Sequence, residues 1–94
     1  MSDSTARRRV VARGRVQGVG FRWFAVRHAE GLGLRGTVAN RPDGTVECVV
    51  EGPPAQLDEM VERLRRGPLA ARVESLEVVE EPLGTPLPSM SIRA

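Results

Sequence analysis

Gly14-Arg15-Val16-Gln17-Gly18-Val19-Gly20-Phe21-Arg22 is the stretch of this 94-residue chain whose residue types and spacing can do chemistry. Three glycines in seven residues allow a tight loop with positive φ values and an uncovered backbone. N–H groups presented without side chains in the way converge on one point and form a concave anion site. An apolar periodicity begins at Phe21, so the loop feeds a helix. The first turn of that helix adds unpaired N–H groups and the positive end of the helix dipole. Arg22, inside that turn, adds a planar fork of donors matched to phosphate geometry. A phosphate or a carboxylate is the guest such a loop predicts. The same residues also fit a plain strand–helix connection with a solvated arginine.

Other phosphate loops are excluded. A Walker A loop needs a lysine after its last glycine, and the chain contains no lysine. Gly18-x-Gly20 lacks the third glycine of a dinucleotide fingerprint, and so short a chain has no second nucleotide-binding half. Covalent and metal chemistry find few residues to use. Cys48 is the one cysteine and His28 the one histidine, so neither a cysteine cluster nor a histidine-rich zinc site is available. No cofactor and no metal are expected.

The formal net charge is +2, and Arg7-Arg8-Arg9 alone exceeds it. That run reads as a solvated strand edge. Sheet-type RNA binders stack bases on aromatics of their central strands. Here Phe21, Trp23 and Phe24 are the only aromatics and they cluster at one helix start, so no nucleic-acid partner is expected. No run of eighteen apolar residues exists to span a membrane. The polar opening residues 1–6 lack the apolar segment of a secretory signal. They read as a disordered tail ahead of one domain over 7–94. A lone cysteine agrees with a reducing cytoplasm, and a monomer is expected.

The elements that must position the loop follow from periodicity. Arg7 to Val16 alternates, with Val10, Ala12, Gly14 and Val16 on one face and Val11, Arg13 and Arg15 outward, as in a half-buried strand. Phe21, Phe24, Ala25, His28, Ala29 and Leu32 recur at helical spacing, and Gly31 or Gly33 ends the helix. On that stripe His28 reads as a packed structural residue. Leu34–Arg41 and Thr45–Glu51 alternate around Pro42-Asp43-Gly44, which predicts a β-hairpin with Cys48 as a small core hydrophobe. Leu57, Met60, Val61 and Leu64 mark a second helix between Gly52-Pro53-Pro54 and Gly67-Pro68. Val73–Glu80 is a fourth strand with a bulge near Ser75, because its alternation slips there. A proline-rich loop and a short strand over 89–93 close the chain.

This order predicts an α+β fold: a ferredoxin-like βαββαβ sandwich, with one antiparallel sheet, two helices on one face and a short C-terminal strand. Right-handed crossovers make the first two strands parallel with the third between them, so their C-terminal ends share one sheet edge. The glycine loop closes the first strand there, and Asn40 closes the second. A carboxamide is thereby brought near the anion site.

Together with the glycine loop, Gly33-Leu34-x-Gly36-x-Val38-x-Asn40 and Asp43-Gly44-x-Val46-Glu47 resemble the acylphosphatases in order and spacing. The resemblance runs from about Val10 to Glu81. It implies hydrolysis of acyl phosphates to a carboxylate and inorganic phosphate. It further implies that Arg22 and the N–H groups of Gln17, Gly18, Val19, Gly20 and Phe21 bind the phosphoryl group while Asn40 orients water. Thr37 and Ala39 stand where the family often has tryptophan and arginine, a departure that bears on the acyl group. The residue inventory agrees: phosphoryl transfer asks mainly for positioning and charge stabilisation. An anion-capturing module of the same fold, without turnover, is the alternative, and Asn40 discriminates between the two.

Overall fold

A computed structural model describes residues 4–93 of the chain. The elements are β1 (Ala6–Arg15), α1 (Phe21–Gly31), β2 (Arg35–Asn40), β3 (Val46–Gly52), α2 (Pro54–Arg66), β4 (Arg72–Glu81) and β5 (Ser91–Ile92). The strands form one sheet in the order β4-β1-β3-β2-β5. β1 is antiparallel to both β3 and β4, and β2 is antiparallel to β3. This is the ferredoxin-like arrangement, and β1 and β2 run parallel across β3 as the right-handed crossovers require. β5 is shorter than expected and lies parallel to β2, pairing Thr37 with Ser91 and Val38 with Ile92. The sheet is therefore antiparallel in four strands and mixed at its β5 edge. Of the tail expected over 1–6, residues 1–3 lie outside the described residues, and Ala6 pairs with Gly52 as the first residue of β1.

Both helices cover the same face. Val10, Ala12, Val38, Val46, Cys48 and Val50 of the sheet pack with Phe21, Ala25 and Ala29 of α1 and Leu57, Met60 and Leu64 of α2 in one core. Val26 joins that core, widening the buried side of α1 beyond the stripe seen in the sequence. The bulge sits where the sequence placed it. Arg13 pairs with Ser75 and Gly14 with Val73, so Glu74 is the extra residue on β4. Gly14 is needed there for space: a Cβ on it would lie 2.3 Å from the Arg72 carbonyl oxygen.

The helix-free face differs from expectation. β1 is an interior strand, so Arg7-Arg8-Arg9 is not a solvated edge. Carboxylates on the neighbouring elements meet each of the three. Arg7 donates from Nε (2.9 Å) and Nη2 (2.6 Å) to Glu51, which is itself buried. Arg9 Nε donates to Glu81 at 2.9 Å. Arg8, on the helix side, bridges Asp58 of α2 and Glu80 of β4, each at 2.7 Å. Val11, read as outward, does face this side, yet it is only 1% exposed. Its cross-strand partners are Glu47 and Glu77, and its neighbours along β1 are Arg9 and Arg13. Long charged side chains cover apolar surface with their stems.

Cys48 lies in the core at 1% exposure, and burial pushes its thiol up to about 12. The thiolate is the reactive species. Native protein at pH 8 is therefore expected to resist a disulfide exchange reagent and to react stoichiometrically once unfolded in denaturant. Rapid labelling of the native state would contradict this packing.

Candidate active site

The site is built on the five residues that turn the chain between β1 and α1. Val16 is buried and Val19 packs on the core, while Gly18 between them and Gly20 after them are exposed. Two apolar anchors thus hold the loop down and leave its backbone outward. Gly20, the N-cap of α1, has φ 81° and ψ 17°, and Gly18 has φ 74°. A Cβ on either would meet nothing within 4 Å. The requirement for glycine is therefore conformational, since an L side chain strains in the left-handed region. No side chain caps α1. Among the described residues, no backbone carbonyl accepts from the N–H groups of Gln17, Gly18, Val19 or Gly20. Those donors remain available to a guest.

Gln17 supplies the link to the second half of the site. Its Nε2 donates to the carbonyl oxygens of Arg41 (2.8 Å) and Thr45 (2.9 Å). These carbonyls belong to the turn between β2 and β3, which is rigid on its own account. Arg41 N–H donates to Thr45 O, Gly44 N–H donates to Arg41 O, and Asp43 Oδ1 accepts from both the N–H and the hydroxyl of Thr45. The two bonds from Thr45 hold the Asp43 carboxyl below its ordinary value. Asn40 is the residue at which β2 enters this turn. One amide therefore locks the glycine loop to the strand end that carries Asn40.

Val16, Gly18, Gly20, Phe21, Arg22, Trp23 and Asn40 line one cavity of about 70 Å³. Of the residues singled out in the sequence, Gly18, Gly20, Phe21, Arg22 and Asn40 are brought together here. The side chains of Gln17 and Val19 are not on the lining: the first is spent on the turn and the second on the core, so only their N–H groups can serve a guest. Among the described residues, no carboxylate pairs with Arg22 and no hydrogen bond engages the Asn40 carboxamide. Trp23 was not singled out. It is 66% exposed on the cavity rim, and its position off the apolar stripe beside Arg22 was the available signal. The cavity is electropositive through Arg22 and the helix end, and it admits only a small guest.

His28 and Cys48 are not on the cavity lining. His28 packs 4.2 Å from the Phe24 ring centroid, and its Nδ1 lies 3.1 Å from Arg63 Nη1. Burial, then the Arg63 charge, lowers its pKa, which leaves a neutral imidazole accepting from the guanidinium. The histidine is structural, and Arg63 is the partner that the sequence did not reveal. Among the described residues, no three metal-ligating side chains cluster, and no helix is long and apolar enough to cross a membrane.

The family model for acylphosphatase matches residues 8–90. The chain belongs to the acylphosphatase family. A curated acylphosphatase of Koribacter versatilis is 45% identical over 98% of this chain and 84% of its own length. One of Moorella thermoacetica is 50% identical over 86% of this chain and 88% of its own. The crystal structure of acylphosphatase from Bacillus subtilis superposes with a TM-score of 0.91 at 37% identity, covering 95% of this chain and 99% of that one.

In this member of the family, replacing Gln17 tests the lock directly. Gln17→Leu leaves two carbonyls without their side-chain donor, a loss of about 1–3 kcal/mol. Chemical denaturation is expected to show that loss. A phosphate titration followed by Trp23 fluorescence is expected to show weaker binding in the folded variant. Unchanged phosphate affinity would mean that the loop keeps its shape without the lock.

Proposed function

We propose that this chain hydrolyses acyl phosphates, cleaving the carboxyl–phosphate bond to a carboxylate and inorganic phosphate with water as nucleophile and no metal in the mechanism. The observation that carries this reading is the meeting of Arg22 and Asn40, neither paired among the described residues, on one small cavity floored by the glycine loop. Family membership supports the same reaction.

In this mechanism the phosphoryl group sits on the N–H groups of the loop and of the first turn of α1, with Arg22 on two of its oxygens. Donors fixed before substrate arrives stabilise charge on the equatorial oxygens without reorganising. The leaving carboxylate is the conjugate base of an acid with a pKa of about 4, so it departs without a general acid. Asn40 cannot act as a base. Its carbonyl oxygen accepts from the attacking water and aligns it with the phosphorus, and a phosphoryl oxygen takes the proton. Holding water in line is a large part of the barrier for such a reaction. We read the protein as a monomer. We also read it as cytoplasmic, with the unpaired Cys48 as support, and without a nucleic-acid partner, because Arg7, Arg8 and Arg9 are ion-paired.

Phosphate release from benzoyl phosphate, with a phosphomonoester as control, tests the reaction, and a strong chelator is expected to leave the rate intact. Arg22→Ala is expected to abolish turnover and weaken inhibition by inorganic phosphate. Arg22→Lys should recover little, because a point charge does not reproduce the fork. Asn40→Ala is expected to lower kcat by ~10²–10³ while phosphate affinity stays nearly constant. Full activity in Asn40→Ala would favour an anion-capturing module instead.

A further inference from the structure

The last rung between β1 and β4 sets two like charges against each other. Beyond the bulge, Arg15 pairs with Arg72. Directly opposed residues share one face of a sheet. The adjoining pair is Gly14 with Val73, and Val73 packs on the core, so Arg15 and Arg72 stand on the helix-free face. Both are exposed, and among the described residues neither makes an ion pair. Elsewhere on β1 the arrangement is the reverse: Arg7, Arg8, Arg9 and Arg13 each reach a carboxylate. Like charges opposed across two strands destabilise them. Glu74, the extra residue of the bulge, does not relieve the repulsion by pairing with either arginine. Its side chain lies against Gly14, with Cγ 3.1 Å from where a Cβ there would stand.

The place of the pair gives it a use. Arg15 immediately precedes Val16, which lines the phosphoryl cavity. Arg72 follows the connection from α2, which lies against the same end of α1: a Cβ on Gly67 would stand 3.2 Å from Phe21 Cε2. Asp43, a carboxylate at this edge of the sheet, has its Oδ1 taken up by Thr45. Charges of one sign around a concave mouth raise the local concentration of an oppositely charged solute without touching it.

We propose that Arg15 and Arg72 act together as an anion collector for the cavity, drawing the phosphoryl group of the substrate toward Arg22 through their field. This inference rests on the hydrolase reading above. Neither residue lines the cavity, so both are positioning residues rather than catalytic ones. The attraction acts on the phosphoryl charge that every acyl phosphate carries and is indifferent to the acyl group.

Arg15→Gln, Arg72→Gln and the double variant separate the field from the packing. At about 10 mM ionic strength the Debye length is about 30 Å, and a unit charge about 10 Å from a dianion changes its affinity about threefold. Each single variant is therefore expected to raise KM for benzoyl phosphate by about that factor with kcat unchanged, and the double variant by more. At about 1 M salt the Debye length is about 3 Å, and the variants are expected to converge on the wild-type KM. Each variant is also expected to need more denaturant to unfold than the wild type, because the repulsion is relieved. Glu74→Gln is expected to lower KM at low salt, a change of opposite sign. An unchanged KM at low salt, a rise in KM that survives 1 M salt, or a rise in KM accompanied by lost stability would overturn the collector. Should the wild type fail to hydrolyse benzoyl phosphate, the hydrolase reading falls alone. Phosphate affinity at matched ionic strength then judges the pair, and equal affinity in the wild type and the double variant would overturn it too.

Discussion

Two hydrogen bonds from a single amide hold the site together. Gln17 reaches across 24 and 28 residues of sequence to the carbonyls of Arg41 and Thr45. Without those bonds the glycine loop would be tethered only at its ends and by two valine anchors, and a loop of that composition has many conformations. In the proposed reaction, fixing it matters because donors act only if they already point at the place where charge develops. Fixing it to the β2–β3 turn matters more. That turn begins next to Asn40, so the same bonds set the separation between the anion donors and the carboxamide.

The sheet makes this reach possible. β1 and β2 are parallel with β3 between them, so the loop after β1 and the turn after β2 emerge at one edge. The helices cover the opposite side of the core from the arginine-rich face, and α1 enters the core through Phe21, the residue next to Arg22. A core residue and a site residue adjacent in sequence give Arg22 little freedom of position. The proline-rich segment after β4 is tied down rather than loose. Thr85 O accepts from Arg7, Leu87 O from Arg35 and Pro88 O from the Gly36 N–H. Those bonds lead the chain back to β2, where β5 pairs.

The ion pairs on the helix-free face follow the same antiparallel logic. Arg7 stands opposite Glu51 of β3 and Glu81 of β4, and Glu47 and Glu77 stand opposite Val11, within reach of Arg9 and Arg13 on either side of it. Cross-strand pairs of this kind stabilise a sheet modestly and fix its register. They also neutralise a run of positive charge that, read in sequence, exceeds the net charge of the whole chain. Arg22, which lines one cavity with Asn40, takes no part in these pairs among the described residues.

What the sequence determined by itself was whatever local chemistry dictates. Helical and alternating periods gave the elements, and Pro42-Asp43-Gly44 gave the hairpin turn. The slipped pattern near Ser75 gave the bulge, and the glycine loop with Arg22 and Asn40 gave residues that line one cavity. Each signal lies within a few residues because it reflects backbone conformation or one face of one element. Tertiary structure alone decided the rest. Gln17 turned its side chain to a distant turn instead of the guest, and His28 found Arg63. Val11 was covered on a face that its pattern called exposed, β1 became an interior strand, and β5 ran parallel to β2. All of these depend on which strands become neighbours and in what register, a pairing between segments dozens of residues apart that no local period encodes.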